Sequence, residues 1–268
     1  MGFAEPDSLV TVSGRQAVLI DCFDEYGGHI QGACTDGTFV YMTQMGWIYK
    51  FDRKGKLVRK VETTRHAGDI CHHDGLLYLS SIDYQGTRKG CGVIRVYDTD
   101  LNLKRERYLE PCGLDGIVYL NGWLYVGGGA HLPTIPKVNG TVRTGTPHLD
   151  NNLFKVDPQT LEIVERHVLN HGSNTRYGIQ NATTDGKYLY FCYYTWEKTL
   201  PDCVVYDENL RLVSTHRVDA GNGFEFLGEK NGVRRFLRLK TENASMNRRK
   251  PGDVFRVVID RVELSSPK

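Results

Sequence analysis

No stretch of this 268-residue chain comes near the roughly 18 consecutive apolar residues that a membrane-spanning helix needs, so no membrane partner is expected. No positively charged segment followed by an apolar core stands at the N-terminus, so no secretory leader is legible. The formal charge is only +2, and there is neither a basic stripe nor a known reader motif, which removes nucleic acid from the expected partners. Paired cysteine spacing is missing too. Cys22, Cys34, Cys71, Cys91, Cys112, Cys192 and Cys203 are odd in number and irregularly placed, which argues against a disulfide framework. Cys22, Cys34, Cys71 and Cys192 fall in strand-like runs, where a free thiol packs as a small hydrophobe. These absences point to a reduced, cytoplasmic protein. A secreted one is the alternative if a leader has been removed, and only then do the acceptor-like triplets at Asn139, Asn181 and Asn243 matter.

What the chain has instead is a recurrence. Asp36-Gly37, Asp74-Gly75, Asn121-Gly122, Asp185-Gly186 and Asn231-Gly232 are each followed by a strand-like run, beginning at Thr38, Leu76, Trp123, Lys187 and Val233. Each pair suits a type I′ hairpin turn, where both central residues take φ > 0. After each run comes a strand that ends in aspartate (Asp52, Asp98, Asp157, Asp207 and Asp260), and in the first four units a further short strand follows. The pairs are 38, 47, 64 and 46 residues apart, and a period of roughly 40 to 50 residues with strand chemistry indicates a β-propeller. The fold class is therefore all-β, a single five-bladed propeller over 1–268, with six blades the main competitor. After Asp260 only a short tail remains, so the run from Ala17 to Phe23 is expected to supply the missing strand of the last blade and close the ring.

The turn pairs lie at one end of such a ring. The connections into the innermost strands and the long ones (82–92, 128–151, 195–201 and 241–252) gather at the other, and long loops on a rigid scaffold are where binding is usually built. Each unit enters its innermost strand with a polar residue five or six positions before its turn pair: Gln31, Asp69, Asp115, Gln180 and Glu225. These five are expected to form a polar ring around the channel, with local bulges in the third and fifth units, where the offset is six. Their bland alternative is to bond inner-strand backbone and trapped water. As catalysts, Asp69, Asp115 and Glu225, together with His66, are acid and base candidates, because like charges so close push one another's pKa values apart. His29 and His66 occupy matching places in adjacent units and are the metal-ligand candidates, with a divalent metal, Ca²⁺ or Mn²⁺, as the expected cofactor. Gln31, Arg65, His148, Arg176, Tyr177, Gln180 and Trp196 are the substrate-binding candidates. Arg65 and Arg176 would clamp a carboxylate or phosphate, His148 would ride on the lid-like loop of the third unit, and the aromatics would stack on a sugar ring. The implied partner is a small, polar, anionic ligand. His72 and His73 precede a turn pair and read as structural or surface residues.

On the segments His29–Gly32 and His66–Asp69 and the repeated Asp-Gly units, the chain resembles five-bladed propeller families that act on sugars. On the Gln31-Gly32 step and the blade count it is also similar to glutamine cyclotransferases. The mixture of His and Gln resembles the metal sites of propeller pectate-oligomer lyases. The resemblance implies an enzyme that cleaves an anionic carbohydrate by hydrolysis or β-elimination at the channel mouth, with metal assistance. A non-catalytic lectin-like or scaffold propeller and a Ca²⁺-dependent esterase or lactonase are the alternatives.

Overall fold

The computed structural model describes residues 16–21, 30–63, 66–83, 91–109, 113–128, 151–169, 178–193, 202–241 and 254–265. They form twenty strands in five four-stranded antiparallel sheets, a five-bladed β-propeller. An initial strand, β1 (Gln16–Asp21), precedes the first blade, which holds β2 (Ile30–Thr35), β3 (Val40–Gln44), β4 (Trp47–Phe51) and β5 (Leu57–Glu62). The second blade holds β6 (Ala67–His73), β7 (Leu76–Asp83), β8 (Cys91–Asp98) and β9 (Leu103–Leu109). The third holds β10 (Leu114–Leu120), β11 (Trp123–Gly128), β12 (Asn151–Val156) and β13 (Ile163–Leu169). The fourth holds β14 (Ile179–Thr184), β15 (Leu189–Tyr193), β16 (Cys203–Tyr206) and β17 (Leu212–His216). The fifth holds β18 (Phe224–Lys230), β19 (Val233–Thr241) and β20 (Val254–Ser265), and its outer strand is β1, paired from Gln16↔Ile259 to Asp21↔Val254. The expected closure by the N-terminal strand is therefore what the sheet order shows.

Alternation builds the ring. In β3, Val40 and Met42 face an apolar layer shared with Leu237, Leu239, Val257 and Ile259 of the fifth blade, while Tyr41 between them faces a layer shared with Ile70, Leu77 and Leu79 of the second. The same period of two, buried on both faces, gives one such layer between each pair of neighbouring blades. The inner strands meet in the cyclic order β2, β6, β10, β14, β18 and back to β2. In the first, second and fourth blades the fourth strand turns a face to solvent, where Leu57, Val58, Leu103 and Leu212 are exposed.

Three of the five turn pairs are the expected type I′ turns: Asp74 and Gly75, Asn121 and Gly122, and Asn231 and Gly232 all have positive φ. In the first and fourth blades only the glycines, Gly37 at 83° and Gly186 at 87°, do so. There the strands are joined by four residues instead of two, and the difference lies in the preceding threonine. Thr35 Oγ1 accepts from the Gly37 N–H and donates to the Phe39 carbonyl, and Asp36 Oδ1 accepts from the N–H groups of Thr38 and Phe39. Thr184 and Asp185 make the same four bonds with Gly186, Lys187 and Tyr188.

The strand-ending aspartates have an equally local explanation. Asp52, Asp98, Asp157 and Asp207 each use Oδ1 to accept two backbone N–H groups of the following turn, at 2.6–3.1 Å. Asp260 does not belong with them. β20 runs straight through it to Ser265, opposite Arg238, whose Nε and Nη2 donate to the two Asp260 oxygens at 2.7 and 2.6 Å. The expected stop at Asp260 is thus a cross-strand fork inside a twelve-residue strand.

Candidate functional site

The inner strands run from an entry end, where the long connections also depart, to the turn end. Every one of them carries a register shift: at Ile30/Gly32, Ala67/Ile70, Leu114/Ile117, Ile179/Asn181 and Phe226/Gly228. Bulges expected in two units occur in all five. In the first four blades the shift falls on Gln31, Asp69, Asp115 and Gln180, and an extra residue of this kind re-aims its side chain out of the ladder. In the fifth blade it falls past Glu225, which stays in regular register opposite Leu237. Glu225 is consequently not the counterpart of the other four. The five residues form no single ring; they are staggered along the axis.

At the entry end, three blades converge on Asp115, which is 3% exposed. Gln180 Nε2 donates to Asp115 Oδ2 at 3.1 Å, and His66 Nδ1 stands 3.6 Å from Asp115 Oδ1. Ser80 donates to the Asp115 backbone carbonyl and so ties the second blade to the third. His66 itself is held at φ 65°, a left-handed conformation that a histidine adopts only at an energetic cost. Burial lowers its pKa to about 4 despite the nearby carboxylate, so the imidazole is neutral at physiological pH. Gln31, also buried, points its amide at Met45 Sδ, and the Met45 carbonyl accepts from the N–H of Ala67, next to His66.

Midway down the channel, Asp69 is fully buried. Its Oδ2 accepts from the N–H groups of Ala182 at 2.7 Å and Ile117 at 3.2 Å, so one carboxyl staples the inner strands of the second, third and fourth blades. Burial pushes its pKa well up, the three backbone donors Ala182, Ile117 and Ile70 pull against that, and Glu225 adds repulsion. A Cβ added at Gly32 would lie 2.5 Å from the Asp69 Cα, which is why glycine stands there. Asp69 serves as an internal strut, accepting backbone donors instead of facing a mouth.

Glu225 belongs to the turn end. Its Oε2 accepts from Thr183 Oγ1 at 2.8 Å and its Oε1 from the Thr35 N–H at 3.5 Å. It borders a cavity of about 440 Å³ that also touches His72, His73, Tyr119 and the Asn121-Gly122 turn. The turn end is thus not closed over by its tight turns. Tight turns bound the rim, but the small residues Thr35, Ala182, Thr183 and Thr184 that end the inner strands leave the axis unfilled. His72 and His73 were legible as a pair beside a turn; nothing in their spacing placed them on a cavity.

His29, Arg65, His148, Arg176, Tyr177 and Trp196 lie outside the described residues. Of the expected metal pair only His66 is described, and it faces Asp115. Among the described residues no group of three or more His, Cys, Asp or Glu side chains is arranged to hold a metal ion. Asn181 is fully buried, and its Nδ2 donates to the Gly221 carbonyl at 2.9 Å, so that triplet is closed to glycosylation in the folded chain.

No protein-family model and no curated protein sequence matches the chain. Among solved structures it is similar to the glutaminyl cyclase of Myxococcus xanthus, with a TM-score of 0.54 and 13% identity over 92% of this chain and 98% of that one. It is also similar to the Pan2 WD40 domain of Neurospora crassa, with a TM-score of 0.43 and 9% identity over 89% of this chain and 77% of that one. BamB of Moraxella catarrhalis gives a TM-score of 0.38 and 15% identity over 85% of this chain and 59% of that one. At these identities the likeness concerns the propeller fold alone.

Proposed function

We propose that the entry end of the channel is the reaction site of an enzyme acting on a small, polar, anionic substrate, with His66 and Asp115 as its proton-transfer pair. The observation that carries this reading is the convergence of His66, Asp115 and Gln180 from three successive blades at the end where the long connections leave. A neutral imidazole against a buried carboxylate is the arrangement that general acid–base chemistry needs. Gln180 fixes the carboxylate orientation, and Gln31 contributes a second amide to the same end. Arg65, next to His66 in sequence, and Arg176, two positions before Gly178, are proposed as the source of positive charge for an anionic substrate. Glu225, bonded at the other end, has no part in the step.

Anionic carbohydrate is the substrate class proposed, cleaved by hydrolysis or β-elimination. The test is incubation with polygalacturonate and shorter uronate oligosaccharides, following reducing ends for hydrolysis and ultraviolet absorbance of the unsaturated uronate for elimination. One of the two signals is expected, and Asp115→Asn and His66→Gln should each lower kcat by about a hundredfold or more. Absence of both signals, or full turnover by folded Asp115→Asn, overturns the reading.

A further inference from the structure

We propose that the cavity at the turn end is a second ligand site, separate from the entry-end group. It takes a small organic ammonium ion, whose charged head sits on the Glu225 carboxylate and whose body lies along the His73 and Tyr119 rings. Three observations carry this. The cavity, about 440 Å³, has the volume of a small-molecule site, and a carboxylate is its acidic lining group. Glu225 receives one good side-chain hydrogen bond, from Thr183 at 2.8 Å, a long one from the Thr35 N–H at 3.5 Å and a backbone bond from Phe226, so a carboxylate with about four acceptor positions retains capacity for a further donor. No lysine or arginine among the described residues pairs with it.

The rest of the lining suits a cation carried on an apolar body. His73 and Tyr119 stack with ring centroids 3.4 Å apart at an interplanar angle of 13°, which presents a flat aromatic wall. Val118, Leu120 and Phe226 supply apolar surface, and an ammonium ion near an aromatic face gains further attraction. Burial lowers the pKa of both His72 and His73, so neither adds positive charge at neutral pH, while Asp36 and Asp74 add negative potential around His72. Above about pH 7, where Glu225 is ionised, an anion would be repelled by it, and a neutral alcohol would leave its charge uncompensated.

The experiment follows backbone amide resonances of the intact, isotope-labelled protein during titration with benzylammonium chloride. Benzyl alcohol serves as the neutral isostere and calcium chloride at matched ionic strength as the inorganic cation. Saturable shifts at Gly122, Thr183 and Gly186 are expected with benzylammonium alone, and Glu225→Gln should weaken that binding by about tenfold or more. His73→Lys, which places a fixed ammonium group beside the cavity, should do the same and decides the matter should Glu225→Gln fail to fold. Equal shifts with benzyl alcohol or calcium, no shifts with benzylammonium, or undiminished binding by a folded variant would each overturn the proposal.

Discussion

Glu225 is the residue whose environment has the clearest consequence in solution. Burial raises its pKa from 4.5 to about 7, opposed by hydrogen bonds from Thr183, Thr35 and Phe226. The folded state thus holds a proton that the unfolded chain gives up near pH 4.5. This contribution to stability is fully present below pH 4.5 and is lost as pH rises through 7, a change on the order of 3 kcal/mol. His66 works in the opposite sense. Its folded pKa of about 4 lies below the ordinary 6.5, so its contribution is present above pH 6.5 and is lost as pH falls through 4. The two partly cancel between pH 4.5 and 6.5, and the Glu225 effect stands clear from there to about pH 8. Urea midpoints measured at pH 6.5 and 8 should therefore fall more steeply with pH for the wild type than for Glu225→Gln; parallel slopes would contradict the assignment. Of the site, the sequence discloses which side chains are polar and near the axis, because the turn pairs number every inner strand. It does not disclose their level. The extra residue falls on the polar side chain itself in four blades and beyond Glu225 in the fifth, so Glu225 is aimed differently from its counterparts, and no side-chain pattern announces where a bulge falls.

At the level of the element, the repeated aspartate is the device that ends a third strand. Asp98 shows it most fully: besides two backbone donors, Oδ2 accepts from Asn102 Nδ2 at 3.0 Å and lies 2.8 Å from Lys104 Nζ. Burial is the largest single effect on its pKa and raises it, but the bonds from Lys104 and Asn102 and the Lys104 charge together outweigh it and hold the carboxyl well below the usual range. Asp98→Ala should reduce stability by about 1 kcal/mol, and Asp98→Asn, which keeps an acceptor oxygen, by less; thermal melts of the two variants test the difference. A loss equal in both would place the benefit in charge and not in the accepted backbone bonds. Such turns are legible from sequence because their bonds span only two to four residues. For the same reason Thr-Asp-Gly distinguishes the four-residue loops of the first and fourth blades from the two-residue turns of the others. Asp260 misleads because its partner, Arg238, is on another strand, and a cross-strand pair leaves no local mark.

At the scale of the whole molecule, the ring is held shut by backbone pairing between β1 and β20 and by the apolar layer between the first and fifth blades. Deleting residues 1–21 removes the outer strand of the last blade and bares the long edge of β20. The truncated chain is expected to lose cooperative urea unfolding and to self-associate, as read by light scattering, because an unpaired edge of this length templates pairing with other chains. A truncated protein that stays monomeric with an unchanged midpoint would show that closure contributes little. The blade count and the closure were both readable in advance, since each follows from the turn spacing and one orphaned strand. The closing pair also sets a clock on biosynthesis. The ribosome makes β1 first and its partner β20 last, so at roughly 5 to 20 residues per second the first strand waits some tens of seconds before its partner exists. Throughout that interval the nascent chain has to keep a hydrogen-bonding strand free of other neighbours, and its native ring can close only once β20 has been made.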